Sequence, residues 1–98
     1  MPHKDWVKYL AEGFELLVRQ DSLFGIWYGF AVVLVFNGEC ICRYDTAHGA
    51  PHKDVLGKRS GLIRKEWCEN LPFKEAFAHA IHDLSENYQS YHDFYYAN

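Results

Sequence analysis

The dipeptide Asn37-Gly38 stands between two runs of mostly apolar residues, Ile26 to Phe36 and Glu39 to Tyr44. A two-residue connection of this composition favours a type I′ turn, because both of its positions need positive φ. The flanking segments are then antiparallel strands, and the turn sets their register. Phe36 is expected opposite Glu39, Leu34 opposite Ile41, Val32 opposite Arg43 and Phe30 opposite Asp45. Opposed residues share one face of a sheet. Arg43 and Asp45 should therefore project from one side, and Cys40, Cys42 and Tyr44 from the other.

Ile26 to Phe36 is apolar on both faces and β-branched in its second half, the pattern of a central strand. Before it, Phe14, Leu16 and Val18 alternate with Glu15, Leu17 and Arg19, which predicts a first strand, with a turn over Asp21 to Gly25. Asp5 is a suitable N-cap for a short helix that carries Trp6, Val7 and Leu10 and ends near Gly13. Leu62 to Trp67 reads as a further strand. From Thr46 to about Ser60 no period survives, so a long loop is expected, and such loops in small domains commonly carry function.

Asn70 and Pro72 mark a helix start, with Glu75 well placed in the first turns. Phe73, Phe77, Ile81, Leu84, Tyr88, Tyr91 and Tyr95 follow at spacings of three and four. They fall within about 80° on a wheel of 100° per residue, which predicts one long helix with its stripe against the sheet. The expected fold class is α+β. It comprises a small antiparallel sheet with a central β-hairpin, a short N-terminal helix and a long C-terminal helix packed on one face. A single domain over residues 1–98 fits that length.

Charge and cysteine usage narrow the function classes. A formal net charge of -3 lacks the basic field that sequence-independent binding to duplex DNA requires. Any nucleic-acid contact has to be local. The three cysteines, Cys40, Cys42 and Cys68, form an odd set, and Met1 to Trp6 lacks the apolar stretch of a signal peptide, so no secretory leader is expected. Free thiols in a reducing cytoplasm are the expected setting. The run Ile26 to Phe36 is too short to cross a bilayer as a helix, so no membrane partner is expected.

The functional residues are expected in the segment from Arg43 to Asp54. It holds two imidazoles four apart, His48 and His52, with Lys53 beside the second and Arg43, Tyr44 and Asp45 at the strand end. Histidine titrates near neutral pH, so a pair can serve as acid and base in one turnover. Arginine and lysine stabilise the negative charge of a phosphoryl transition state, and a carboxylate can orient an imidazole. These are the parts needed for RNA cleavage without a metal or other cofactor. The plainer alternative is a solvated loop with a surface ion pair between Arg43 and Asp45. A metal alternative would use His48 and His52 with Asp45, Asp54, Cys40 or Cys42, although the spacing matches no defined zinc pattern. On the C-terminal helix, His79, Asp83 and Asn87 form an i, i+4, i+8 ridge beside the apolar stripe, and Asp83 and Asn87 are placed to reach the loop.

Tyr44-Asp45-Thr46-Ala47-His48-Gly49 with a downstream His52-Lys53, set between a hairpin and a long terminal helix, resembles the TumE-type toxin proteins of prokaryotic toxin–antitoxin modules. It also resembles a related group of small uncharacterised prokaryotic proteins. The resemblance spans roughly residues 26 to 95 and is motif-grade only in its centre. Thr46 stands where those toxins often carry Asn, and the histidines are not a His-x-His pair. The resemblance implies growth inhibition through RNA or translation, and a neighbouring antitoxin as protein partner.

Three functions therefore stay open. In the first, His48, His52 and Asp45 are catalytic residues acting on RNA, and Arg43, Tyr44, Lys53, Asp83 and Asn87 bind the substrate. In the second, the segment recognises a nucleotide, nucleic acid or protein without turnover. In the third, the aromatic C-terminal end, Tyr88 to Tyr96, is the face of a homodimer.

Overall fold

The computed structural model describes residues 3–68 and 70–98, and the side chain of His48 lies outside the described set. Six strands run β1 (His3–Ala11), β2 (Phe14–Leu23), β3 (Ile26–Phe36), β4 (Glu39–Asp45), β5 (His52–Gly57) and β6 (Gly61–Trp67). They form one sheet in sequence order, and every neighbouring pair is antiparallel. Two helices follow, α1 (Phe73–Glu86) and α2 (Tyr88–Ala97). The α+β class holds.

The N-terminal helix expected from Asp5 is instead β1. Trp6 pairs with Val18, Val7 with Leu17 and Lys8 with Leu16. Trp6 packs edge-on against Phe77 of α1, with ring centroids 5.9 Å apart, while Val7 faces the other way. The helical reading grouped Trp6 with Val7 and Leu10, but pairing with β2 imposes a period of two on the segment. Its ladder of backbone hydrogen bonds outweighs a single capping aspartate.

Asn37 and Gly38 link β3 to β4 with φ of 49° and 82°, as a primed turn requires. Phe36 lies opposite Glu39 and Val35 opposite Cys40, but then the register slips. Ile41 is an extra residue on β4, a bulge, and beyond it Leu34 faces Cys42, Val33 faces Arg43, Val32 faces Tyr44 and Ala31 faces Asp45. The consequence is a change of face. Arg43 and Asp45 lie on the side of Val33 and Ala31, whereas Cys42 and Tyr44 share the side of the buried Leu34 and Val32. Cys40, expected with Cys42, lies before the bulge and shares the face of Arg43.

The turn between β2 and β3 has the same handedness, with φ of 51° at Phe24 and 78° at Gly25. A bulky side chain is costly there, and Phe24 is 93% exposed, so it gains no packing in return. Phe24→Asn should stabilise the fold by about 1 kcal/mol, read as a higher denaturant midpoint at unchanged slope.

The helices cover one face of the sheet. The core joins Phe14, Leu16 and Val18 of β2 to Phe30, Val32 and Leu34 of β3, and to Ile41, Cys42 and Tyr44 of β4. Ala76, Ala80 and Leu84 of α1 and Tyr95 of α2 close it. The single long helix expected from the aromatic stripe is broken at Asn87, whose φ of -117° and ψ of 19° are not helical. The Asn87 side-chain amide donates to Asp83 Oδ1 at 2.8 Å. The break lets α1 lie over β3 and α2 over β4 and β5. The expected loop from Thr46 to Ser60 is also more ordered: a 3-10 turn (Ala47–Gly49) leads into β5. No period showed there because β5 carries charged or imidazole side chains on both of its faces.

Candidate functional site

Alternation along three paired strands builds two polar networks, one on each face. On the face away from the helices, Arg43, Asp54 and Lys65 are opposed across β4, β5 and β6, as are Asp45, His52 and Trp67. On the helix face, Tyr44, Lys53 and Glu66 are opposed.

The open-face network centres on Asp54 and His52, each 1% exposed. Arg43 Nε donates to Asp54 Oδ2 at 2.7 Å, and Lys65 Nζ donates to Asp54 Oδ1 at 2.8 Å. His52 Nε2 lies 3.0 Å from Asp45 Oδ1 and 3.5 Å from Asp54 Oδ1. His52 Nδ1 lies 3.1 Å from the carbonyl of Ala50, which can only accept a hydrogen bond. The half-exposed indole of Trp67 covers the imidazole, with ring centroids 4.9 Å apart. Burial pushes the Asp54 carboxyl up, but the hydrogen bonds from Lys65 and Arg43 outweigh it and hold the group below its ordinary range. The contact with Asp54 in turn raises Arg43.

Thr46 anchors the adjoining turn. Its backbone N–H donates to the Phe30 carbonyl at 3.2 Å, and its hydroxyl accepts from the Phe30 N–H at 3.0 Å. The absent side chain of Gly29 makes room, since a Cβ there would sit 2.7 Å from the Thr46 hydroxyl. Asp45 Oδ1 also accepts from the Ala47 N–H at 3.1 Å, which fixes the start of the turn.

The helix-face network centres on Asp83. Tyr44 and Tyr91 donate to Asp83 Oδ2 at 2.6 and 2.5 Å, and Asn87 donates to Oδ1. Lys53 Nζ donates to the Tyr91 hydroxyl at 3.0 Å and pairs with Glu66 at 3.1 Å. Burial raises the Tyr44 hydroxyl and Asp83 raises it further, so it remains a donor. For Asp83 itself burial acts upward, and the three donated hydrogen bonds together hold the carboxyl below its ordinary range.

The structure thus divides the residues singled out in the sequence. Arg43, Asp45 and His52 come together on the open face, whereas Tyr44, Lys53, Asp83 and Asn87 come together under the helices. His79 is exposed and lies 3.5 Å from the Tyr44 hydroxyl. Lys65 and Trp67 were missed, although they alternate with Arg64 and Glu66 along an expected strand. Only the pairing of that strand with β5 brings them to the site.

The donor atoms of Asp45, His52 and Asp54 lie within 4.8 Å of one another. The thiols are poorly suited to join them. Cys42 faces the core, where burial pushes it up to about 12, and burial also raises Cys40. Beside the cluster, in the rows of Val33 and Ala31, a groove of about 420 Å³ is lined by Asp5, Val7, Leu17 and Arg19.

All of residues 1–98 match the family model described as a domain of unknown function, DUF7718. The chain belongs to that family. Comparison with curated proteins and with solved structures gives no match. The DUF7718 description carries no activity, so function has to be argued from the two networks. Among the described residues, no helix is long and apolar enough to cross a membrane.

Proposed function

We propose that this chain is a toxin-like cytoplasmic protein that acts on RNA as a metal-independent ribonuclease, with its centre on the open sheet face. The observation that carries this reading is the Asp45–His52 pair at 3.0 Å, set behind a rim of Arg43, Lys65 and Trp67. Arg43 and Lys65 meet phosphate, and the exposed Trp67 ring offers a base a surface to stack on. The Ala50 carbonyl orients the His52 ring through Nδ1, and Asp45 accepts from Nε2 when the imidazole is protonated. His48 and His52 exchange the proton taken from the 2′-hydroxyl and the proton given to the leaving oxygen. The resemblance to TumE-type proteins adds RNA as target and an antitoxin as partner. Purified protein should cleave RNA in the presence of chelator, and a His48→Ala, His52→Ala variant should lose about 100-fold or more of that activity. Retained cleavage in the double variant would remove the histidines from the reaction.

One observation favours a second reading, a binding module without turnover. Asp54 already pairs with both Arg43 and Lys65, and the groove adjoins them on the same face. This reading expects a bound partner, no cleaved product, and weaker binding when Val7 or Leu17 is replaced by Asp.

A further inference from the structure

We propose that Asp45, His52 and Asp54 form a divalent-cation site in which the ammonium of Lys65 is a built-in competitor for the metal. This inference rests on the open-face cluster of the proposed function, but not on RNA being the substrate.

Three electron-pair donors converge there. His52 Nδ1 donates a hydrogen bond to the Ala50 carbonyl, and Nε2 is the ring atom turned toward Asp45 Oδ1 and Asp54 Oδ1. A metal-bound imidazole is commonly held this way, with its second nitrogen donating to a backbone carbonyl. Metal–ligand bonds of about 2.1 Å place neighbouring donor atoms about 3.0 to 3.4 Å apart. Of the two separations at His52 Nε2, 3.0 Å to Asp45 Oδ1 meets that requirement and 3.5 Å to Asp54 Oδ1 lies just beyond it. All three donor atoms lie within 4.8 Å of one another, so a small closing movement completes the set.

Donors so close together need a positive charge between them. Lys65 supplies it, with Nζ 2.8 Å from Asp54 Oδ1 and 3.4 Å from His52 Nε2. Its side chain is 29% exposed, so it can swing to solvent as an ion enters. Arg43 stays in place, because it holds the other oxygen of Asp54. One imidazole nitrogen with two carboxylate oxygens suits Mn²⁺ or Zn²⁺ better than a soft ion. Under the proposed RNA chemistry, an ion on Nε2 removes His52 from proton transfer, so such ions inhibit cleavage.

The test is titration of the intact chain with Mn²⁺, counting free ion by electron paramagnetic resonance, for wild type, Lys65→Met and Lys65→Met, His52→Gln. Mn²⁺ avoids competition from the thiols. The expected result is one ion per chain, bound about tenfold more tightly by Lys65→Met and lost in the His52→Gln background. Equal affinity of wild type and Lys65→Met, or binding that survives His52→Gln, overturns the proposal. If Lys65→Met fails to fold, Lys65→Gln serves the same comparison. Binding is read without RNA and cleavage is read in chelator, so each reading can fail alone.

Discussion

Asp83→Ala is expected to lower the unfolding free energy by about 3 kcal/mol, a large part of what a small domain has. The side chain is only 14% exposed and accepts from Tyr44, Tyr91 and Asn87. Its removal leaves two inward hydroxyls without their acceptor, and Lys53 loses the carboxylate 4.0 Å away. It also frees Asn87, where α1 passes into α2. Urea unfolding followed by circular dichroism measures the loss. A change below about 1 kcal/mol would show that Asp83 does not hold the helices to the sheet.

The same groups set the acid limb of stability. Asp54 and Asp83 are both held below their ordinary range, so the folded state binds their protons less readily than the unfolded chain does. Their stabilisation is complete above the ordinary aspartate value of about 3.9. It declines as the pH falls below that value and is gone beneath the folded-state values. In Asp83→Asn, the difference from wild type should shrink as the pH is lowered through this window.

Asp54→Ala should cost about 2 kcal/mol, less than Asp83→Ala although Asp54 is the more buried carboxylate. The difference lies in what is left behind. Arg43 is 41% exposed and Lys65 29%, so both can turn to solvent once their acceptor is gone. Arg43 also keeps Asp45 at 3.9 Å. A double-mutant cycle of Asp54→Ala with Arg43→Ala should give a coupling of about 1 kcal/mol or more. Strict additivity would mean that the 2.7 Å contact contributes nothing to stability.

Local chemistry made much of the sheet legible. Asn37-Gly38 located the turn between β3 and β4, and the alternation over Phe14 to Arg19 located β2. The bulge at Ile41 was hidden, because turn geometry fixes register only until an extra residue intervenes. It left Arg43 and Asp45 together, yet turned them away from Val32 and Phe30. β1 was hidden because Trp6, Val7 and Leu10 fit a helical face as well as an edge strand. β5 was hidden because His52 and Asp54 alternate with Lys53, so neither face reads as apolar. The site inherited these gaps. Asp45 and His52 were visible as residue types, but Lys65 and Trp67 enter only through pairing with β5. The ridge of Asp83 and Asn87 was visible as a helix face, and its contact with Tyr44 follows from the same bulge.

Under the proposed function, the open-face cluster acts on RNA while the network on Asp83 holds the fold. RNA cleavage in chelator by wild type, His52→Ala and Asp83→Asn, each compared at equal folded fraction, separates the two roles. Loss of cleavage in His52→Ala with near wild-type cleavage in Asp83→Asn is the predicted result. Full cleavage by His52→Ala, or loss confined to Asp83→Asn, would contradict it.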